Sequence, residues 1–143
     1  MTHECVEYGT IEGSNEGLLK AISRACANAG ITADKIDAVF GFGNGIKEVD
    51  SIEKDVYAKA FGKEMPVINV RDYIGEARAA ASTLSAAHAA LTLAGELGDT
   101  QDAYFLNGDS VKKDRVNTAG FDYVLATSYG VGGSYCAVVL KRV

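Results

Sequence analysis

Helical and strand-like hydrophobic patterns alternate along this 143-residue sequence, and that alternation restricts the possible fold more than any other feature. Residues 15–29 carry apolar side chains at helical spacing, and residues 36–41 form a short apolar run that leads into a glycine-rich loop. A second helix is predicted from Lys47 to Phe61, followed by a strand over residues 66–70. The pattern predicts an α/β fold, with helices covering both faces of a mixed sheet.

Further strands are predicted toward both ends of the sequence. Cys5–Thr10 is strand-like, and Ser14 or Asn15 is suited to cap the helix that follows. In the last third, residues 103–106, 123–127 and 134–141 are strand-like. The polar stretch between Asn107 and Gly120 is predicted to be a surface loop.

The segment from Gly75 to Gly98 is predicted to be one long helix rich in alanine. Its small side chains would allow close approach of a neighbouring backbone, and alanine gives it little amphipathic character. We therefore expect this helix at the centre of the fold. It is too weakly hydrophobic to span a membrane, since it also carries Arg78, His88 and Glu96.

Length and charge exclude several classes of protein. Residues 1–143 are enough for a single domain with its own core. The net charge of −5 argues against a nucleic-acid surface, which needs a basic patch. The N-terminus lacks the basic and apolar regions of a signal peptide, so we expect a cytoplasmic protein. Its three cysteines are scattered, as expected of buried free thiols.

Three blocks of sequence resemble the C-terminal half of β-ketoacyl synthases, in the family's order and at compatible spacing. Residues 20–62 combine an alanine-rich helix ending in Ala-Gly-Ile, an Ile-Asp-Ala-Val strand, a glycine-rich loop and an Asp-x-x-Glu helix start. Residues 66–90 are similar to the block that contains the family's lysine and its Ile-Gly-His motif. Residues 128–141 resemble its C-terminal Ser-Phe-Gly-Phe-Gly-Gly-Thr-Asn loop and last strand.

The resemblance implies a thiolase-like half, a five-stranded mixed sheet between helices, with the helix from Gly75 to Gly98 in the central layer. It also implies that the catalytic residues are missing. The family's nucleophilic cysteine lies in the absent N-terminal half, and its two histidine positions are occupied here by Phe42 and Glu76. Phenylalanine cannot donate a hydrogen bond, and a carboxylate would destabilise a developing oxyanion.

Other family positions keep their character. Asp50, Glu53 and Arg71 match charged residues of the family, and we expect them to form a buried structural charge network. The segment that resembles the family's gating loop is expected to shape an acyl pocket; it consists of Tyr129, Gly130, Val131, Gly132 and Gly133.

Metal and cofactor sites are not indicated. His3 and His88 lack the spacing of metal ligands, and His88, which lies inside the alanine-rich helix, is expected to cap a buried polar contact. The Gly41-x-Gly-x-Gly45 loop follows a strand, as a dinucleotide-binding loop does, but its third glycine comes too early. No acidic residue ends a second strand about 20 residues later, which also disfavours nucleotide binding.

Three functions are compatible with these features. The first is a non-catalytic subunit, comparable to a chain length factor, that joins a ketosynthase or an N-terminal ketosynthase half in fatty acid or polyketide biosynthesis. Acyl carrier protein would then be met through the complex, and the exposed helix face implies a homo- or hetero-oligomer. The second is half of a split acyltransferase whose partner supplies the catalytic residues. The third is an independent acyl-binding module near Phe42 and Tyr129.

Overall fold

The computed structural model describes residues 2–3, 16–43, 45–107, 110–130 and 132–143. The strand predicted at Cys5–Thr10, the helix cap at Ser14 or Asn15, and Val131 lie outside these residues. Within them the chain forms one mixed sheet with helices on both faces, which confirms the predicted fold class.

Within the described ranges the sheet has seven strands: β1 (Thr2–His3), β2 (Ala38–Phe40), β3 (Met65–Ile68), β4 (Thr100–Asn107), β5 (Ser110–Asn117), β6 (Tyr123–Gly130) and β7 (Ser134–Lys141). Their order across the sheet is β1-β7-β6-β2-β3-β4-β5. The central strand β2 is parallel to β3 and β6, whereas the other neighbouring strands are antiparallel. The expected count of five strands is therefore too low.

Alternate residues of the central strands point to opposite faces of the sheet, as strand geometry requires. Val39, Val67 and Leu125 belong to one buried cluster. Phe40 and Ile68 belong to a second cluster on the other face. Strands that are buried on both sides explain why residues 36–41 and 66–70 are almost continuously apolar.

Two helices cover the first face, α1 (Glu16–Asn28) and α2 (Lys47–Phe61). Leu18 and Ile22 of α1 and Val56 and Tyr57 of α2 are buried in the first cluster. The bounds predicted for α2 are confirmed. Because its apolar residues recur three and four positions apart, the sequence identifies both the helix and its buried face.

The second face is covered by a helix that is shorter than predicted. Gly75–Gly98 is not continuous: a short helix α3 (Arg71–Ile74) and a 3₁₀ turn (Arg78–Ala80) precede α4 (Ala81–Ala94). The chain cannot be helical at Gly75, which has φ 74° and ψ −166°. Arg78 also has a positive φ of 50°, which is unfavourable for a residue with a side chain.

Only one side of α4 is buried. Ala81, Ser85, Ala89, Thr92 and Leu93 face the sheet. Ala87, Ala90 and Leu91 are exposed on the opposite side. A helix at the centre of the fold would be covered on both sides. Here α4 is covered by the sheet on one side, and no second layer among the described residues covers its outer side.

The prediction of a surface loop between Asn107 and Gly120 is wrong for most of the described residues in this stretch, since β5 occupies residues 110–117. Strand β5 pairs with β4 over its whole length, from Thr100 opposite Asn117 to Asn107 opposite Ser110. Strand β5 lies at the edge of the sheet, and Lys112, Lys113 and Arg115 are exposed on it. Its sequence therefore lacks the apolar pattern by which a buried strand is recognised. Charges on an edge strand also discourage pairing with other chains.

Candidate functional site

The candidate site lies where three parallel strands end. Because β2 runs parallel to β3 and β6, their carboxyl ends meet at one edge of the sheet. The segments that follow or end these strands are Gly41–Gly43, Asn69–Arg71 and Ser128–Gly130. In open α/β sheets this edge is where ligands bind, since loops that leave adjacent strands form a crevice there.

Glu53 fastens the glycine loop to α2. Its Oε1 accepts a hydrogen bond of 2.9 Å from the backbone N–H of Phe42, and its Oε2 accepts one of 2.8 Å from Gly43. Only 7% of Glu53 is exposed. A carboxylate that accepts two amide hydrogen bonds in a buried position fixes the loop in one conformation.

A buried chain of hydroxyl groups continues from Glu53 to the sheet. The Tyr57 hydroxyl donates to Glu53 Oε1 at 2.6 Å and lies 2.6 Å from Thr127 Oγ1 on β6. Burial raises the pKa of Glu53, although the hydrogen bonds from Tyr57, Phe42 and Gly43 oppose this effect. Burial and the adjacent Glu53 carboxylate raise the pKa of Tyr57 well above its usual value. Tyr57 therefore stays a hydrogen-bond donor at physiological pH.

Asn69 packs directly against the glycine loop. A Cβ atom at Gly43 would lie 2.3 Å from Asn69 Nδ2, and one at Gly41 would lie 2.9 Å from Asn69 Oδ1. Gly43 also has a positive φ of 27°. Glycine is therefore required at Gly41 and Gly43 because the Asn69 side chain approaches the backbone closely. This requirement does not depend on a bound ligand.

The side chain of Arg71 joins Phe42 and Glu76, and we call these three residues the Arg71 clamp. The guanidinium carbon lies 3.9 Å from the centre of the Phe42 ring, within the range of a cation–π interaction. Nη1 lies 3.0 Å from Glu76 Oε2, an ion-pair distance, although it has no hydrogen-bond geometry there. The Arg71 side chain is 8% exposed, and that of Glu76 is 50% exposed.

The charged residues expected to form one network are distributed over two groups. Glu53 is held by amides and a tyrosine hydroxyl, while Arg71 contacts Phe42 and Glu76. Asp50 lies on the same helix as Glu53, and its negative charge contributes to the raised pKa of Glu53. Both groups meet at Phe42, because Glu53 accepts from its backbone N–H and Arg71 lies over its ring.

The segment that resembles a gating loop borders the clamp. The ring of Tyr129 meets the rings of Phe42 and Tyr135 edge to face, with centroids 6.0 and 5.2 Å apart. Gly130 pairs with Ser134 across the β6–β7 hairpin. Gly132 and Gly133 lie in the turn between these strands.

The hydroxyl groups of Ser82 and Ser128 hydrogen bond to each other. Ser82 is in the first turn of α4, and Ser128 lies near the end of β6. This contact joins the start of α4 to the strand that leads into the segment resembling the family's gating loop.

Two concave surfaces flank this edge. A cavity of about 440 Å³ lies beside α2, and Gly43, Glu53, Tyr57 and Asn69 are among its lining residues. On the outer side of α4 lies a more apolar groove of about 610 Å³, which we call the α4 groove. Its lining includes Tyr73, Ile74, Leu84, His88, Leu91 and Leu97.

His88 lies in the wall of the α4 groove and makes structural contacts. Its Nε2 is 2.8 Å from Gln101 Oε1, and Gln101 Nε2 donates to Thr92 Oγ1 at 2.7 Å. The imidazole also meets the rings of Phe40 and Tyr73 edge to face. Burial lowers the pKa of His88, so its neutral form is favoured.

The glycine loop of the described site does not present its amides as a phosphate site does. The amides of Phe42 and Gly43, which could otherwise hold a phosphate, are used by Glu53. Across the described ranges, no three His, Cys, Asp or Glu side chains are grouped so that they could hold a metal ion. Among the same residues, no helix is long and apolar enough to cross a membrane.

The loop residues that the sequence singles out lie together at one edge, but the side chains that fix them are not evident from sequence. Hydrophobic spacing assigns Tyr57 only to the apolar face of α2, and it gives no role to Asn69 or Thr127. The spacing of Glu53 and Tyr57, four positions apart on one helix, is the available signal for their contact.

Comparisons with known proteins agree on the family. Residues 1–97 match the family model described as "Beta-ketoacyl synthase, C-terminal domain". A Streptomyces coelicolor protein named "Putative polyketide beta-ketoacyl synthase 2" is 32% identical over 134 residues, which cover 90% of this chain and 32% of that protein. The chain thus spans about a third of the length of this curated relative.

Solved structures show the same fold. The structure of the ishigamide ketosynthase/chain length factor matches with a TM-score of 0.76 and 22% sequence identity. The match covers 90% of this chain and 33% of that chain. A second match is a chain from the structure of AntDE:AntF, described as a type II polyketide synthase acyl-carrier protein in complex with its ketosynthase. The match covers 99% of this chain and 36% of that chain. Its TM-score is 0.79 and its identity 14%. The chain has a thiolase-like ketosynthase fold and belongs to the β-ketoacyl synthase family, as its C-terminal domain.

Proposed function

We propose that the chain is a non-catalytic ketosynthase-like subunit that associates with a ketosynthase partner in polyketide or fatty acid biosynthesis. The observation that carries this proposal is the Arg71 clamp, because it occupies the edge of the sheet where the family places its histidines. Residues 1–143 would act as one domain that completes a thiolase-type core or shapes the acyl pocket of the partner.

The chemistry of the described site supports a non-catalytic role. Condensation requires a thiolate nucleophile, imidazole donors and an oxyanion hole. Cys26 is buried in α1, where burial raises its pKa and disfavours the thiolate. Cys136 lies in β7, paired with Ser128. The Phe42 ring has no donor, and the carboxylate of Glu76 is directed to Arg71.

The outer side of α4 supports association with a partner. Tyr73, Ile74, Leu91 and Leu97 are each more than 40% exposed around the α4 groove. Apolar side chains grouped in this way usually mark an interaction surface. Because this apolar surface is uncovered among the described residues, a ketosynthase half is the partner we propose.

The aromatic wall of the site supports a role in pocket shape. Phe42 and Tyr129 contact each other at the end of β2 and β6, beside the segment that resembles the family's gating loop. In a complete core these rings would limit the space for an acyl chain. This is the part of the proposal that a product analysis can test.

The experiment is reconstitution of the complex with a ketosynthase partner that carries the nucleophilic cysteine. We expect condensation activity that disappears when the partner's cysteine is replaced by alanine. Glu76→Ala in this chain should lower the rate only as far as it lowers the amount of assembled complex, because a non-catalytic residue contributes no transition-state stabilisation. Tyr129→Ala should change the length of the products.

A different result would favour the second hypothesis, half of a split active enzyme. If Glu76→Ala or Phe42→Ala abolishes product while the complex still assembles, these residues take part in the reaction. Assembly must therefore be measured on the same samples, for example by size-exclusion chromatography.

A further inference from the structure

The buried guanidinium of Arg71 contacts both positions where the family has histidine. Its carbon lies over the Phe42 ring at 3.9 Å, and its Nη1 lies 3.0 Å from Glu76. Phe42 follows β2, Arg71 begins α3, and Glu76 lies in the turn before α4. A single side chain thus connects three separate segments of the chain.

Phe42 and Glu76 meet different requirements of a buried guanidinium. The aromatic face offers an attractive apolar surface to the planar cation. The Glu76 carboxylate supplies the opposite charge, without which a cation with 8% exposure would be strongly unfavourable. Neither contact replaces the other, because the ring neutralises no charge and the carboxylate covers only one edge of the group.

Glu76 also holds the backbone that leads into α4. Its Oε1 accepts a hydrogen bond from the N–H of Arg78, the residue with a positive φ of 50°. At the other end, the N–H of Phe42 is held by Glu53. The clamp therefore links the loop fastened to α2 with the strained turn that starts α4.

We infer that Arg71 is a positioning residue and that Phe42, Arg71 and Glu76 form one interdependent unit, which holds the glycine loop against the start of α4. This inference deepens the proposed function and rests on it. It states that the residues at the two histidine positions of the family stabilise each other through Arg71. Restoring one histidine alone would then deprive a buried guanidinium of one of these two contacts.

The direct test is NMR spectroscopy of the Arg71 side chain in the full chain. In the wild type, the Arg71 Nε–H proton should be shifted by the ring current of Phe42 and exchange slowly with water. Glu76→Gln leaves the ring in place but removes the charge that holds the guanidinium over it. We therefore expect it to reduce the ring-current shift and to speed exchange by about tenfold.

Phe42→Leu tests the other contact and should likewise speed exchange at Arg71 Nε–H. The matched control is Asp102→Asn, which removes an exposed carboxylate near Arg115 and should leave the Arg71 signals unchanged. If Glu76→Gln does not alter the Arg71 shift or exchange rate, the two contacts are independent and the inference is wrong.

Arg71→Met keeps the test decisive if a variant of the clamp folds poorly. It replaces the guanidinium by a flexible apolar chain, so that Glu76→Gln should no longer change the urea midpoint in this background. An equal effect of Glu76→Gln with and without Arg71 would overturn the inference. These measurements need no partner, so a failure here is distinct from a failure of assembly, on which the proposed function depends.

Discussion

Glu53 and Tyr57 are a buried polar pair of the described site, and their contact helps to hold the glycine loop. The carboxylate accepts from two backbone amides and from the Tyr57 hydroxyl, which in turn meets Thr127. A buried network of this kind stabilises a structure only while each member has its partner. Removal of one member leaves a desolvated group unsatisfied.

Tyr57→Phe removes the hydroxyl and leaves Thr127 and Glu53 without this contact. We expect the free energy of unfolding to fall by about 1–3 kcal/mol, the cost of an unsatisfied buried polar group. Tyr73→Phe is the control, because Tyr73 is 54% exposed and its loss of a hydroxyl should have almost no effect. Equal urea midpoints for the two variants would contradict the importance of the network.

The pH dependence of stability follows from the pKa of Glu53. Burial raises it above the usual value of 4.5, so the folded state binds a proton more tightly than the unfolded chain. The contribution of Glu53 to stability is present below pH 4.5 and is lost as the pH rises through the folded-state pKa. Urea titrations at several pH values should show this loss in the wild type and its absence in Glu53→Gln. Parallel pH profiles of the two proteins would contradict it.

Among the elements, the loop between β2 and α2 depends on close packing against Asn69. Gly43 and Gly45 both have positive φ, but of these two only Gly43 has neighbours within 4 Å of the position that a Cβ atom would take. The same substitution at these two positions therefore separates backbone strain from steric overlap.

Gly45→Ala should cost about 1–2 kcal/mol, the strain of a left-handed residue with a Cβ. Gly43→Ala should cost about 1–3 kcal/mol more, because its Cβ would overlap Asn69. Thermal unfolding of both variants measures the difference. A Gly43→Ala variant as stable as Gly45→Ala would mean that Asn69 can move aside.

The elements that were predictable from sequence are those with a buried face. The apolar spacing of α2 gave its bounds, and the apolar runs located β2 and β3. Strand β5 was not predictable because its exposed, charged residues show no apolar alternation, although its backbone pairs with β4 along its whole length. The break before α4 was hidden because alanine-rich sequence continues across Arg78, whose positive φ is imposed by its surroundings.

The candidate site was predictable to a similar extent. The family-like motifs identified Phe42, Glu76 and Arg71, which the structure brings together. The partners of Glu53 could not be foreseen, because two of them are backbone amides that become available only when the loop folds. The role of Arg71 as a bridge depends on the distance between two loops that are far apart in sequence.

In the molecule as a whole, the sheet is covered on both faces but α4 has an apolar outer side. Leu91 is 45% exposed and lines the α4 groove, whereas Val111 is 52% exposed on the edge strand β5, where it lines the cavity beside α2 and not the α4 groove. Glutamate can replace either residue without burying a charge in this chain. The two positions therefore distinguish the α4 groove from an exposed apolar position outside it.

Association with a ketosynthase partner is measured by sedimentation analysis of the chain with and without that partner, for the wild type, Leu91→Glu and Val111→Glu. We expect the wild type and Val111→Glu to form a complex, and Leu91→Glu to weaken it by at least about tenfold, since a charge would be buried in the interface. A stable wild-type monomer with no affinity for the ketosynthase partner would contradict the proposed function.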